Sequence, residues 1–497
     1  MQQTSFFPRV AGKVAETVDI FHLPASIKPT IVKEKIYKLE GDTLSLRYPE
    51  FSGEEMVKVI DAVLEKRSQY LKDLPVASIV SKIDAAVQLW LDPDYHLRKL
   101  AEKLLPAVTG YDSEMIRLEL KRYMRTFRKK ELLRFLEEEF DSPEMLDEFR
   151  PRKSGGLSKA YGPDLIFHVF SGNVPGVQLW SLIMGFLMKS AHLGKTSFSE
   201  PFLPVLFLKS LAEIDENLAE STAILPWPGG NSELEAPALE SAEAVIVYGS
   251  DKTVNSIKQR LPDGQRLLAY GHKISISMIG KEALTPDLYS RTARRLAEDI
   301  CIYDQQGCLS PQSVYIEEGG TVDPRRFAQL LSAELARYEK KRRRSALSEE
   351  EHLSIQRTRG RYELEKLKGS STAVFKSGMN TDWTVVFHKE SGFEASPLNR
   401  FVHIFSVTEL EGCIGWLKPY KKYMQSCGLA VLPDRLMDIS AKLGDAGISR
   451  ICPVGEMNRA KPGWHHDGSF NLLTLARVID IERNAEEDME RYDPDVE

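Results

Sequence analysis

"DLIFHVFSGNVPGVQLWSLIMGFLMKSAHL", Asp164 to Leu193, decides the fold. Leu165 to Phe170, interrupted only by His168, is an apolar run that reads as a buried strand. "SGNVPG" follows, and its glycines and proline mark a turn. "VQLWSLIMGFLMKSAHL" then reads as a buried helix, Val177 to Leu193. Strand, turn and apolar helix in that order are the opening of a βαβ unit.

The alternation continues downstream. "PFLPVLFLKSLAEI" reads as a helix, "AEAVIVYG" as a strand, "SDKTVNSIKQRL" as a helix, and "RLLAYG" and "ISISMIG" as strands. After Cys308 come strand "QSVYIE", helix "DPRRFAQLLSAELARYEKK", strands "WTVVFH" and "RFVHIFSV", and helix "LEGCIGWLKPYKKYMQ". The expected fold class is therefore α/β, with a mainly parallel sheet. Upstream, residues 30–50 read as two strands around the turn Gly41–Asp42. Ser52 and Glu55 have capping-box spacing ahead of a helix that lines up Met56, Ile60, Val63 and Leu64. Further helices fit 76–91, 95–105 and 113–140, the last so charged that it reads as a solvated surface helix.

The 497 residues suffice for two or more domains with large cores. A net charge of -6 gives no electrostatic case for nucleic acid as the main partner. The run Lys340 to Arg344 reads as a solvated helix end and loop, and the acidic tail "ERNAEEDMERYDPDVE" as frayed or disordered. "VQLWSLIMGFLM" is too short to span a bilayer, and the N-terminus shows no apolar signal core, so a cytoplasmic location is expected. The five cysteines are odd in number and lack paired spacing, which argues against a disulfide framework. No histidine pair has metal-ligand spacing, so no metal site is expected, although His465 and His466 are adjacent.

The residues that carry chemistry sit at turns. "YGSDKTV" follows a strand and opens a helix, with Gly249 at the turn and Ser250 offering a hydroxyl, a place suited to phosphate or to ordinary capping. Gly229 and Gly230 in "WPGGN" form a second such turn. Asn173 can donate its amide into a cleft at the strand end or simply satisfy turn backbone. Lys195 in "LGKTSFSEP" can reach a ribose or phosphate or remain a surface charge. Cys308, in "YDQQGCLSPQSVYI", has Gln305, Gln306, Gly307, Ser310 and Gln312 around it, which are poor company for a packed core thiol. Its backbone N–H beside its own sulfur offers a nucleophile and an oxyanion donor from one residue.

Taken in order, "FSGNVPG", "LGKTSFSEP", "VIVYGSDKTV", "AYGHKISIS" and "DQQGCLSPQ" resemble the aldehyde dehydrogenase superfamily. The resemblance is closer to its acyl-CoA reductase family, typified by LuxC of the bacterial bioluminescence fatty-acid reductase complex, and runs from about residue 140 to about 482. It implies an aldehyde dehydrogenase-like fold. The N-terminal helical segment and a Rossmann-type NADP(H) domain occupy 1–270, a catalytic thiol domain 271–440, a C-terminal segment for packing back or oligomerisation 441–482, and an acidic tail 483–497. It further implies Cys308 as the acylated nucleophile and Asn173 as the oxyanion-hole amide, with Lys195, Ser197, Gly229, Gly230, Gly249, Ser250 and Glu394 around the cofactor. His272 is a candidate proton shuttle or a structural histidine.

Hydrolytic members carry a glutamate where this chain has "AYGHKIS", so thioester exchange is expected over hydrolysis. NAD-preferring relatives often place a glutamate three residues after the lysine, and Phe198 stands there, which favours NADPH while leaving NADH open. The implied activity is NADPH-dependent reduction of a fatty acyl thioester, from fatty acyl-CoA or an acyl-protein synthetase subunit, to a fatty aldehyde. The alternatives are a short-chain CoA-acylating aldehyde dehydrogenase and an acyl carrier without redox chemistry. A homo-oligomer joined through "NLLTLARVIDI" is also implied, and "GWHHDG" is expected to organise a site wall or an interface.

Overall fold

The computed structural model describes residues 14–38 and 43–492, so the turn Gly41–Asp42 lies outside the described residues. Strands β1 (Val14–Asp19), β2 (Ile31–Lys38) and β3 (Thr43–Glu50) form a sheet in the order β1-β3-β2. Ser52 and Glu55 close the expected capping box on helix Gly53–Gln69.

The charged stretch 113–140 is two helices, Ser113–Arg125 and Lys129–Glu139, and neither is merely a solvated surface element. Asp84 of helix Val76–Leu91 causes the break from outside: its carboxylate accepts from the Lys129 N–H (2.8 Å) and from Arg128 Nε (2.5 Å). That contact caps a new helix start at an extended Arg128. Met115, Leu120, Met124, Leu132, Phe135 and Leu136 are buried beneath the charged face.

Two parallel sheets carry the rest. After β4 (Arg150–Pro151) and β5 (Leu157–Tyr161) come β6 (Leu165–Val169), β7 (Ala191–Thr196), β8 (Thr222–Pro226), β9 (Ala244–Tyr248) and β10 (Arg266–Tyr270). The last five form an all-parallel sheet in the order β10-β9-β6-β7-β8. Strands β6 to β9 are buried at every residue, which is why β6 and β9 read as near-continuous apolar runs. The strand order reverses between β6 and β9, so a crevice opens beyond their carboxyl ends, between the turn after Val169 and the turn after Tyr248.

Helix Val177–Leu187 is shorter than its apolar pattern suggested, and Ala191–Leu193 belong to β7. Lys189 adopts a left-handed φ of 57°, which turns the chain back into the sheet.

The second sheet contains β11 (Ile274–Ile279), β12 (Pro311–Glu317), β13 (Ala373–Lys376), β14 (Thr384–His388), β15 (Phe401–Val407), β16 (Met424–Ala430) and β17 (Arg450–Pro453). Its order is β13-β14-β15-β12-β11-β16-β17, parallel except for β13. Met424 and Gln425 are therefore in a strand rather than in the helix read through them, which spans Leu410–Leu417. Strand β18 (Arg477–Ile481) pairs antiparallel with β5, and Leu472–Leu475 before it are helical. The described part of the acidic tail is ordered too, as helix Arg483–Met489. Within the basic run, Arg343 is exposed as expected, whereas Arg342 and Arg344 are half-buried, Arg342 against Glu114 (3.3 Å).

Candidate active site

A cavity of about 1350 Å³ lies between the two sheets and the helical N-terminal region. Cys308 opens onto it from the loop that enters β12. That loop is held in an unusual backbone. Tyr303, Asp304 and Gln305 have φ of 49°, 51° and 67°, and the facing residues Leu398, Asn399 and Arg400 have 62°, 59° and 64°. Non-glycine residues adopt this left-handed region only when their surroundings impose it.

Here the two turns impose it on each other. The guanidinium of Arg400 lies 2.7 Å from Asp304, both side chains being fully buried. The Phe401 N–H donates to Gln305 Oε1 (3.0 Å), and Gln306 Nε2 donates to Asn399 Oδ1 (3.0 Å). Ser275 Oγ then anchors the Cys308 carbonyl at 2.7 Å.

The sulfur is exposed to the cavity yet ringed by protein. This desolvation, with the Asp467 carboxylate adding to it, pushes the thiol up to about 11. The Gln425 amide, the N–H of Cys308 itself and the Lys273 ammonium act in the opposite direction.

Asn173 shares the cavity. Its carbonyl accepts from the Tyr111 hydroxyl (2.6 Å), and its Nδ2 donates to the Gln306 carbonyl, two residues before the thiol (3.0 Å). One amide hydrogen remains free to point into the cavity. Gly249, Ser250 and His272 also line the wall. Ser250 Oγ accepts from the Thr253 N–H (3.3 Å) as the cap of helix Asp251–Lys258, and the His272 N–H donates to Asp251 Oδ1 (3.2 Å).

Lys195, Ser197, Gly229, Gly230 and Glu394 are not in this wall. The first four gather at the carboxyl ends of β7 and β8, where Lys195 Nζ sits 6.0 Å from the centre of the Trp227 ring. Burial lowers the affinity of Lys195 for its proton, and Glu235 partly restores it. Glu394, on the loop between β14 and β15, pairs with Arg361 (3.4 Å).

Gln425 carries no sequence signal, while Lys273 and Asp467 lie inside the stretches "AYGHKISIS" and "GWHHDG" without a signal of their own. Gln425, Lys273 and Asp467 meet beside Cys308: Gln425 Nε2 donates to Asp467 Oδ1 (2.6 Å), and Lys273 Nζ lies 3.3 Å from Asp467 Oδ2. His466 stacks on Tyr270 at 4.0 Å, so the "GWHHDG" segment does form part of the site wall. The apolar side is built by Val108, Tyr123, Phe135, Trp180 and Met184, from four helices around the break at residues 126–128, and by Tyr111 in the link between two of them.

The family profile described as "Acyl-CoA reductase (LuxC)" matches residues 71–478. The chain belongs to this family. Among curated relatives, the long-chain acyl-protein thioester reductase of Aliivibrio fischeri is 28% identical over 416 residues, covering 83% of each chain. That of Vibrio harveyi is 24% identical over 473 residues, covering 93% of each.

Solved structures extend the likeness to the fold of the aldehyde dehydrogenases. Aldehyde dehydrogenase 21 of Physcomitrella patens has a TM-score of 0.68 at 12% identity, over 95% of this chain and 99% of its own. The glyceraldehyde-3-phosphate dehydrogenase GapN of Methanocaldococcus jannaschii, solved with NADP, also scores 0.68 at 12% identity, over 90% and 99%. The fold class is thus aldehyde dehydrogenase-like α/β. Among the described residues, no single helix is long and apolar enough to cross a membrane.

Proposed function

We propose that this LuxC-family protein reduces a long-chain fatty acyl thioester to the fatty aldehyde, with NADPH as reductant and Cys308 carrying the acyl group. One observation carries the reading: a preorganised cysteine opens onto a large, mainly apolar cavity whose wall also contains Asn173 and the Gly249–Ser250 turn. The apolar side formed by Tyr123, Phe135, Trp180 and Met184 suits a long acyl chain. The names of the relatives favour a protein-bound thioester as donor, with acyl-CoA as an equivalent in the test tube. The reading places the enzyme in the cytoplasm.

The carboxyl edge of the five-stranded sheet fits a dinucleotide. Thr196 Oγ1 and Trp227 Nε1 are buried there without a hydrogen-bond partner, and a Cβ on Gly229 or Gly230 would meet only open space. Lys195, Ser197, Gly249 and Ser250 would hold the cofactor. Phe198 packs edge-on against Tyr48, and Lys35 Nζ lies 4.6 Å above its ring, so a cation stands where a carboxylate would repel a 2′-phosphate. When bound, NADPH supplies the hydride that reduces the thioester carbon.

The protein groups act as follows. The Cys308 sulfur attacks the thioester carbonyl, and the oxyanion accepts from the free Asn173 amide hydrogen and the Cys308 N–H. Each such donor lowers the barrier by roughly 3 kcal/mol. The carbon–sulfur bond to the donor breaks, and the departing thiolate takes up the proton that Cys308 gave up. Acyl-Cys308 is protected from water because "AYGHKIS" offers no carboxylate where hydrolytic relatives carry a base, and Asp467 is engaged by Gln425 and Lys273. The same two donors face the oxyanion formed on reduction, from which Cys308 departs as the aldehyde is released.

The test is labelling with radioactive acyl-CoA and aldehyde production with NADPH and NADH compared. Wild-type protein should trap label and make aldehyde faster with NADPH. A Cys308→Ala variant that still does both sinks the reading.

A further inference from the structure

We propose that Gln425 and Lys273, positioned by Asp467, form a second arm of the thiol site, which holds the Cys308 sulfur as it gains negative charge. This deepens the function proposed above, because it rests on Cys308 being the nucleophile.

Gln425 is in β16 and fully buried. A carboxylate can only accept hydrogen bonds, so the contact with Asp467 Oδ1 (2.6 Å) fixes which end of the Gln425 amide faces it. The nitrogen keeps a second hydrogen, and strand pairing sets Gln425 at the mouth of the Cys308 cavity: Met424 pairs with Ile274, whose neighbour Ser275 holds the Cys308 carbonyl. The other end of the same amide shows what this orientation costs. Among the described residues Gln425 Oε1 is buried without a hydrogen-bond partner, and flipping would only exchange it for an unpaired Nε2 and set oxygen against the carboxylate.

Asp467 is itself forced into place. Its φ is 54°, followed by Gly468 at 81°, so the chain bends to bring the carboxylate inward. Lys273 at 3.3 Å from Oδ2 balances the charge. The charged groups that act most on the sulfur are Asp467, which opposes its ionisation, and Lys273, which favours it. Tyr248 at the end of β9, Asp251, Lys252, His272 and His466 line the same cavity.

The experiment is the pH dependence of Cys308 alkylation by iodoacetamide in the full chain, followed by mass spectrometry of the Cys308 peptide. Gln425→Leu removes the donor and Lys273→Met removes the cation, so each should move the inflection to higher pH and slow alkylation at pH 8 about tenfold. Asp467→Asn keeps an acceptor for Gln425 but removes the negative charge, so its inflection should move to lower pH and its alkylation speed up. Unchanged profiles for Lys273→Met and Gln425→Leu, or an upward shift for Asp467→Asn, overturn the proposal. Should Gln425→Leu not fold, the opposite signs of the other two variants decide alone. The readout needs neither acyl donor nor cofactor, so failure of the arm is distinct from failure of the acyl reading, which Cys308→Ala tests.

Discussion

Arg400 shows how much of the site depends on a single side chain far from the chemistry in sequence. It is fully buried, pairs with Asp304 at 2.7 Å and with Glu339 at 2.5 Å, and locks two left-handed turns together. Arg400→Met leaves the Asp304 carboxylate buried without its partner. The expected loss is about 3–5 kcal/mol of stability, read by urea unfolding, with slower acylation of Cys308 because its loop is released. Adding Asp304→Leu to that variant should recover much of the stability but not the acylation rate. At this scale the sequence is informative only where chemistry shows locally. Cys308, Asn173, Gly249 and Ser250 stand at turns between strand and helix, and the structure brings all four to one cavity. Gln425 stands in a stretch with no local peculiarity, and Asp467 in the "GWHHDG" cluster, which shows in the sequence without revealing what it meets. Their meeting depends on contacts 42 residues apart in the chain and on a backbone bend that no spacing predicts.

At the scale of elements, the break between helices Ser113–Arg125 and Lys129–Glu139 is made by Asp84, on another helix. Asp84→Ala should therefore destabilise the second helix by about 1–2 kcal/mol, since it removes the carboxylate that accepts from the Lys129 N–H at that start. Phe135 and the acyl wall should loosen with it, seen as a larger loss of activity on long-chain than on short-chain thioesters. The missing break illustrates why 113–140 reads as one helix: its charge periodicity is continuous, and the capping carboxylate is remote. By contrast, β6 and β9 are legible because a strand buried on both faces must be apolar throughout. Helix Ser232–Ser241 escapes the same reading because Pro237 and a weak apolar stripe disguise it. Helix Glu349–Leu367 escapes because few of its residues are buried, namely Ile355, Arg359 and Tyr362.

For the whole molecule, buried histidines set the acid limit. Burial holds His22, His388 and His466 down to about 4 and His192 down to about 3, and drives His168 and His403 well below their ordinary value. These groups stay neutral in the folded chain but take up protons when unfolded, near pH 6.5. Stability is thus complete above about pH 6.5 and falls as pH drops toward 4, by at most about 1.4 kcal/mol per histidine per pH unit. Glu200 and Asp299, pushed up to about 7 by burial, have the opposite sign and offset part of the loss. Calorimetry at pH 7, 6 and 5 should therefore show a falling Tm, and a Tm that rises over this interval contradicts the assignment.

The order of the two sheets along the chain also gives the site a history. Every strand of the five-stranded sheet ends by Tyr270, before any strand of the seven-stranded sheet begins at Ile274. A ribosome therefore releases the five-stranded sheet first and the cysteine later. Gln425 and Asp467 emerge later still, and β18 pairs with β5 only once Arg477–Ile481 are made. A nascent chain thus carries Cys308 and Lys273 for more than a hundred residues of synthesis before Gln425 and then Asp467 join them beside the cavity.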